Sequence, residues 1–195
     1  MLRLLMVFAG LFASSAAQAH TGIGDANGFV HGFAHPLGGI DHILAMVAVG
    51  LFAAQLGGRA LLLVPLSFVS MMIVGAAVGA AGIELPLAEV AIGLSVVALG
   101  IAVALGLDIA TVAAVAIVGF FAIFHGYAHG LEMPEAASGL EYGFGFVLAT
   151  ASLHFVGIGC GLFIGRSGRL FGRRILQAGG GAMALAGAAV LAGYV

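Results

Sequence analysis

Six long apolar stretches, separated by very short polar breaks, constrain this sequence more than any other feature. They lie at residues 36–56, 60–82, 86–106, 108–131, 139–165 and 170–193. Each is close to the about 20 residues that a helix needs to cross the hydrocarbon core of a bilayer. Backbone polar groups in lipid must be satisfied within their own segment, so these stretches are predicted to be helices. The sequence therefore predicts an all-α integral membrane protein with six transmembrane helices.

Charged residues are too scarce for a soluble domain. Only 7% of the 195 residues are charged, against about 25% in an average soluble domain. The chain has no Lys and a formal net charge of −2, so nothing points to a nucleic-acid partner. The single Cys160 excludes an internal disulfide and a CxxC metal or redox site. The lipid bilayer is therefore the first partner that the composition predicts.

The first 19 residues have the pattern of a secretory signal peptide. Arg3 supplies the positive end, residues 4–13 form a short apolar core, and Ala17-Gln18-Ala19 matches an A-x-A cleavage site. Cleavage there would leave a mature chain that begins at His20, with residues 20–195 as one six-helix domain. An uncleaved anchor helix is the alternative, and it predicts the same topology because Arg3 would hold its N-terminus inside.

The arginines indicate how the chain crosses the membrane. If the mature N-terminus faces outward, the breaks at 57–59 and 165–174 are cytoplasmic, and they contain every arginine of the mature chain. The outward breaks carry only acidic charges, namely Glu84, Glu132, Glu135 and Glu141. This distribution follows the positive-inside rule, so we expect an outward N-terminus.

Glycines spaced four residues apart predict where the helices pack closely. Small residues let helix backbones approach each other in lipid, where the hydrophobic effect does not drive association. The candidate pairs are Gly75/Gly79, Gly126/Gly130, Gly157/Gly161 and Gly161/Gly165.

Histidines stand out in a chain with so few polar groups. Three precede or open the first span, at His31, His35 and His42, and Asp41 lies beside them. The second group closes the fourth span and consists of His125, His129 and Glu132. His154 lies inside the fifth span, and His20 stands at the mature N-terminus. Ionisable groups within a membrane are costly, so we expect this set to be functional.

Spacing predicts which side chains share an ion. His125 and His129 are four residues apart on one helical face, and Glu132 follows on that face. His35 and His42 are seven apart, too far to share an ion on a regular helix, and suit successive sites. Asp41 would bind the ion itself or orient a ligand imidazole.

Pro36 and the rise per residue of a helix predict how the ligand residues are arranged across the membrane. Pro36 disfavours helical geometry at His35, which predicts a bent segment before the first helix. At about 1.5 Å per residue, the ligands form a ladder that descends from the outer side to His154 at mid-membrane. Below it the sequence offers only weak groups such as Gln55 and Cys160.

Imidazoles with a few carboxylates suit Ni²⁺, Co²⁺, Zn²⁺ or Cu²⁺ better than Mg²⁺ or Ca²⁺. We expect such an ion as cargo and no prosthetic group. At His20, a new α-amine beside an imidazole could bind metal, or His20 is simply the residue after the cleavage site. No G-x-x-x-x-G-K loop is present, so the chain shows no machinery for ATP-driven pumping. No catalytic residues are assigned.

Two motifs resemble those of the HupE/UreJ family of bacterial nickel and cobalt permeases. The family pattern H-P-x-x-G-x-D-H matches residues 35–42, and F-H-G-x-A-H-G-x-E matches residues 124–132 without departure. The resemblance covers the whole chain. It implies secondary uptake of Ni²⁺ or Co²⁺ across the inner membrane to supply hydrogenase or urease. The residues carried over are His35, Asp41, His42, His125, His129 and Glu132, whereas His20, His31 and His154 rest on their own chemistry.

Two other functions remain open from the sequence. A membrane metal donor or sensor would bind without transporting, and a His-box di-iron enzyme would place its histidines on the cytoplasmic side. The sequence also leaves a homo-oligomer open. The segments HGFAH (31–35) and HGYAH (125–129) look alike, but their helices run in opposite directions. We interpret the likeness as convergent ligand geometry or as one vestibule lined by both motifs.

Overall fold

The computed structural model describes residues 28–133, 139–166 and 169–193. Within these ranges the chain is helical and contains no β-strand, which confirms the predicted all-α class. The predicted signal peptide, His20 and Glu135 lie outside the described residues. The helices are α1 (Gly28–Ala34), α2 (Ile40–Leu56), α3 (Ala60–Ala80), α4 (Ala88–Leu105), α5 (Thr111–Leu131), α6 (Gly139–Gly165) and α7 (Arg169–Leu191), with a 3-10 turn at His35–Leu37.

Within the described residues there are six spans if one bent pair counts as a span. Helices α3 to α7 are each long and apolar enough to cross a membrane. The segment Gly28–Leu37 and helix α2 pass the same test only together, and they meet at an angle of 80°. The bounds of α3 to α7 agree with the predicted spans within a few residues. The chain is thus a multi-pass membrane protein.

The first span departs from its prediction. Its helix begins at Ile40 rather than at Pro36, which lies instead in the 3-10 turn. Gly39 separates the two with extended backbone angles, φ −104° and ψ 124°. An extended residue interrupts the helical hydrogen-bond ladder, so the chain changes direction there. The predicted bend therefore exists, but it lies after Pro36 rather than at His35.

Glycines bring α3 and α5 into close contact. A Cβ on Gly75 would overlap the carbonyl of Ile123, and a Cβ on Gly126 would overlap the carbonyl of Met72. The predicted pairs Gly75/Gly79 and Gly126/Gly130 face each other across this interface. Each of these glycines lies against the backbone of the opposing helix, where a side chain would force the two helices apart.

Helices α2 and α6 meet in the same way. Gly50 lies against the backbone of His154 and Gly157, so α6 approaches α2 at the level of His154. Gly161 continues this contact, as its predicted pairing with Gly157 implies. Gly165 has open space where its Cβ would stand. The predicted Gly161/Gly165 pair is therefore wrong at Gly165, which lies at the end of α6 beyond the contact.

Charged residues mark one end of the bundle, which we call the arginine end. Exposed arginines lie where α2 and α6 end and α3 and α7 begin: Arg59, Arg166, Arg173 and Arg174. Helix α7 already begins at Arg169, so the predicted break at 165–174 overlaps its first turns. This is physically acceptable because exposed arginine side chains can extend to the polar interface while their backbone stays helical. Between the ends, large apolar side chains point outward, as hydrocarbon requires.

Candidate metal centre

A cavity of about 440 Å³ opens at the other end of the bundle, which we call the cavity end. Its walls come from α1, the 3-10 turn, α2, α4 and α5. The titratable groups that line it are His31, His35, Asp41, His42, Glu89, His129 and Glu132. Both histidine motifs therefore line one space, as the shared-vestibule interpretation predicts.

Three of these residues form a candidate metal-binding group. One ligand atom from each of His35, His129 and Glu132 lies within 4.8 Å of the other two. The Nε2 of His35 is 2.9 Å from Oε2 of Glu132, and the Nδ1 of His129 is 3.5 Å from the same oxygen. Metal–nitrogen and metal–oxygen bonds of about 2 Å fit such a group after small movements. It is the only cluster of this kind among the described residues.

The bend at Gly38–Gly39 explains why His35 takes part. On a continuous helix, His35 would lie two turns above His42, as assumed from the spacing. The 80° turn instead folds the 3-10 segment back, so that the side chain of His35 reaches His129 on α5. The ring of His35 then lies 4.9 Å from that of His129, while His42 lies 4.3 Å from His129 on another side. His42 does not join the three-residue group, so the expectation of successive sites keeps its geometric basis.

Asp41 contacts the imidazole of His42 directly. Its Oδ1 accepts hydrogen bonds from Nδ1 of His42 at 3.0 Å and from the backbone N–H of His42 at 2.9 Å. A carboxylate only accepts, so Nδ1 carries the proton and Nε2 holds the lone pair. That Nε2 is buried and has no hydrogen-bond partner. Of the two roles expected for Asp41, this geometry favours the one that orients a ligand.

Gly39 leaves the space for this pair. A Cβ built on Gly39 would stand 2.7 Å from Oδ1 of Asp41 and 3.0 Å from Nδ1 of His42. A glycine is thus needed at this position of the first motif because a larger side chain would collide with Asp41 and His42. The backbone does not require it, since any residue can adopt a φ of −104°.

The histidine rings form a continuous row. Beyond His129 and His42, the ring of His125 lies 5.0 Å from that of His42 and is perpendicular to it. His125 is fully buried, and His129 and His42 are almost so. The ring of His42 thus contacts the rings of both His129 and His125. Within the described residues this row connects the cavity to the core of the bundle.

Phe68 separates this row from His154. Its ring centroid is 5.5 Å from His125 and 5.1 Å from His154. His154 is 1% exposed, and neither of its ring nitrogens has a hydrogen-bond partner in the described part of the chain. A buried polar group left unpaired costs about 1–3 kcal/mol. A structural histidine would normally be hydrogen-bonded, so this arrangement disfavours a simple packing role.

Several residues near the site escaped the sequence reasoning. Glu89 lines the cavity from the first turn of α4. The Oγ of Ser95 lies 2.8 Å from Nε2 of His125. The ring of Tyr142, whose hydroxyl is buried, has its centroid 6.0 Å from that of His35. Phe68 belongs to this set as well. Glu89 and Ser95 could have been found from the sequence, because each places a polar side chain inside an apolar span. Phe68 and Tyr142 could not, because aromatic residues are ordinary in such spans.

Other sequence-based candidates lie farther from the ligand group. His31 is exposed on α1 and lines the cavity without joining the three-residue group. The amide nitrogen of Gln55 donates to the carbonyl of Leu107 at 2.9 Å, which ties the ends of α2 and α4 together. Cys160 is exposed on α6, so the expectation that it offers an inner ligand is wrong. The spacing count gave its height in the membrane but not its side of the helix.

The fold and the cavity define a multi-pass α-helical membrane protein with a histidine- and carboxylate-lined site at one end. The family model for HupE / UreJ protein matches residues 7–190. The chain is also 45% identical over 192 residues to Protein HupE of Rhizobium leguminosarum bv. viciae, and the match covers 98% of both chains. The chain therefore belongs to the HupE/UreJ family, which confirms the resemblance seen in the two motifs. No solved structure matches it significantly.

Proposed function

We propose that this protein is a secondary permease that imports Ni²⁺, with Co²⁺ as the nearest competitor, through a path of histidine and carboxylate ligands. The observation that carries the proposal is the sequence of groups from the cavity inward. The three-residue group of His35, His129 and Glu132 leads to further buried imidazoles, and each of these has at least one ring nitrogen without a hydrogen-bond partner among the described residues. Membership in the HupE/UreJ family, which is associated with nickel and cobalt transport, supports it.

Capture would begin at the cavity. Among the described residues, three carboxylates line it, Asp41, Glu89 and Glu132, and no arginine does. Such a surface raises the local concentration of cations. The side chain of Glu132 is 57% exposed, while that of His129 is only 4% exposed. An ion could thus be bound by the carboxylate while still partly hydrated and then lose water to the imidazoles.

Passage inward would follow the row of rings. His42 offers Nε2, and its proton on Nδ1 is held by Asp41. His125 lies next, and Phe68 stands between it and His154. Below His154 few donors are available among the described residues of the core. A path that binds well at its entrance and weakly near its exit can release its ion.

Imidazole ligands also account for the proposed selectivity. Affinity of nitrogen-rich sites follows the order of the late first-row divalent metals, with Ni²⁺ well above Mn²⁺. Mg²⁺ prefers oxygen ligands and keeps several of its waters. A row of imidazoles with few carboxylates should therefore reject Mg²⁺ strongly.

The membrane potential is sufficient to drive uptake. Two positive charges that move inward through about 100 mV release roughly 4.6 kcal/mol, close to a thousandfold accumulation. We place the protein in the bacterial inner membrane, with the cavity end periplasmic and the arginine end cytoplasmic, as the positive-inside rule requires. The imported ion would supply a nickel enzyme such as hydrogenase or urease.

The test is uptake of radioactive Ni²⁺ by purified protein in proteoliposomes, with unlabelled Co²⁺, Zn²⁺ or Mg²⁺ as competitors. The permease proposal predicts saturable uptake that Co²⁺ inhibits and excess Mg²⁺ does not. Tight Ni²⁺ binding without flux would indicate a metal donor or sensor. Bound iron together with an oxygen-dependent product would indicate a di-iron enzyme, and either result would contradict the proposal.

A further inference from the structure

We propose that Ser95 is a positioning residue that holds His125 in one tautomer, with Nε2 protonated and Nδ1 facing the ion as the ligand atom. The inference rests on the proposed function for its nickel-binding consequence, but not for the tautomer itself. Neither family motif contains Ser95, which lies on α4, whereas His125 lies on α5.

Ser95 makes two hydrogen bonds with its single hydroxyl. Its Oγ lies 2.6 Å from the carbonyl oxygen of Ile92 and 2.8 Å from Nε2 of His125. A hydroxyl has one proton to donate, and a carbonyl oxygen can only accept. If the proton pointed at His125, two unprotonated oxygens would face each other at 2.6 Å. The proton of Ser95 therefore goes to Ile92, and Oγ accepts from His125.

This bond determines which nitrogen of His125 is free. Nε2 must carry a proton in order to donate to Ser95, and a neutral imidazole carries only one. His125 is fully buried, and among the described residues no carboxylate lies within hydrogen-bond distance of it, so the neutral ring is the stable form. Its Nδ1 then holds a lone pair, and this buried atom has no hydrogen-bond partner in the described part of the chain.

His42 presents the opposite arrangement. Its Nδ1 donates to Asp41, so its free atom is Nε2, which is also buried and unpartnered. The two rings are perpendicular, with centroids 5.0 Å apart. Two neighbouring histidines thus have their protons fixed on opposite nitrogens, one by a carboxylate and one by a hydroxyl. Each ring therefore presents one lone pair to the same buried region. A divalent ion could bind to both lone pairs.

Ser67 provides a matched comparison on α3. Its Oγ also donates to a backbone carbonyl three residues earlier, that of Val64, at 2.8 Å. Within the described part of the chain, its hydroxyl makes no hydrogen bond to a histidine. Replacing Ser67 by Ala removes the same kind of intrahelical bond as replacing Ser95 by Ala, but no hydrogen bond to an imidazole of the described residues.

The tautomer can be measured without metal. Full-length protein labelled with ¹⁵N-histidine in detergent gives separate two-bond proton–nitrogen patterns for the two tautomers, and His125→Gln assigns the signal. We expect the Nε2–H pattern at His125 in the wild type and in Ser67→Ala. In Ser95→Ala the pattern should become mixed or shift to Nδ1–H. An Nδ1–H pattern in the wild type would overturn the proposal, and this readout needs no variant of Ser95 to fold.

Nickel binding tests the functional consequence with Ni²⁺ alone as the probe. Loss of a partner that orients a ligand typically lowers metal affinity about 10–100-fold, and we expect this for Ser95→Ala. Ser95→Thr keeps a hydroxyl that can bond the same carbonyl and should restore most of the affinity, whereas Ser67→Ala should match the wild type. Equal loss in Ser95→Thr and Ser95→Ala, or no loss in Ser95→Ala, would overturn the proposal. Wild-type protein that binds no Ni²⁺ would contradict the proposed function instead, while the metal-free spectrum would still decide the tautomer.

Discussion

The Nε2 of His35 and the Oε2 of Glu132 lie 2.9 Å apart although 97 residues separate them in the chain. Each belongs to a different histidine motif, and the contact exists only because the chain bends before α2. The carboxylate of Glu132 can only accept this hydrogen bond, and a divalent ion bound at the two atoms would take the place of the proton that His35 donates. This pair is therefore the point at which the two motifs become one site.

Replacing Glu132 by Gln should weaken Ni²⁺ binding and uptake. The amide keeps the size of the side chain but removes the negative charge that His35 and His129 face. We expect a loss of about tenfold or more in the apparent affinity, because charge-assisted contacts are about twice as strong as neutral ones. Binding of Ni²⁺ to detergent-solubilised protein measures it. Glu141→Gln is the control, since Glu141 is exposed on α6 and does not line the cavity.

Replacing Gly39 by Ala should impair function without unfolding the protein. The added Cβ would lie 2.7 Å from Oδ1 of Asp41 and 3.0 Å from Nδ1 of His42, so the hydrogen bond between them must shift. The backbone there is extended, and Ala adopts it without strain. We expect lower Ni²⁺ uptake with normal thermal stability. Gly159→Ala serves as the control because its Cβ would meet open space, and equal uptake by both variants would contradict the account.

Replacing Gly126 by Ala should act on stability instead. The Cβ would overlap the backbone carbonyl of Met72 on α3, and backbone cannot move aside as a flexible side chain can. Overpacking of this kind costs about 1–3 kcal/mol, which should lower the melting temperature in detergent. Gly181→Ala on α7, where a Cβ meets nothing, should leave it unchanged. An unaltered melting temperature in Gly126→Ala would show that α3 and α5 are farther apart than described.

Replacing His154 by Leu should separate function from stability. Both ring nitrogens of His154 are buried and unpartnered, and each such atom is worth about 1–3 kcal/mol of destabilisation. An apolar side chain of similar volume should therefore preserve or raise the melting temperature while it lowers Ni²⁺ uptake. A lower melting temperature with normal uptake would instead assign His154 a structural role.

Much of this fold follows from the sequence because lipid leaves few alternatives. The bounds of α3 to α7 could be predicted from apolar length alone, since each stretch matches the bilayer and ends at a polar break. The first span could not, because Pro36 and Gly39 together allow several geometries. The choice of a 3-10 turn followed by an extended residue depends on how this entry segment packs against α6.

The site was predictable in its members and less so in its arrangement. Spacing placed His125, His129 and Glu132 on one face, since all three lie on one helix or at its end. It could not bring His35 to that face, because this needed the bend. Nor could it find Ser95, whose relation to His125 depends on how α4 packs against α5. Counting residues along a helix gives the height of each residue along that helix axis. Contacts between helices depend instead on how each helix is rotated about its axis and how far apart the helices lie.

The most direct test of the central claim is potential-driven uptake of radioactive Ni²⁺ into proteoliposomes that contain either wild-type protein or His129→Ala. With an inside-negative potential, the wild type should accumulate Ni²⁺ to a saturable level that collapses when the potential is dissipated. His129→Ala should give no more uptake than protein-free liposomes, because His129 contacts both His35 and His42 and joins the cavity to the inner row. Equal uptake by the two proteins, or none by the wild type, would contradict transport through this row of ligands.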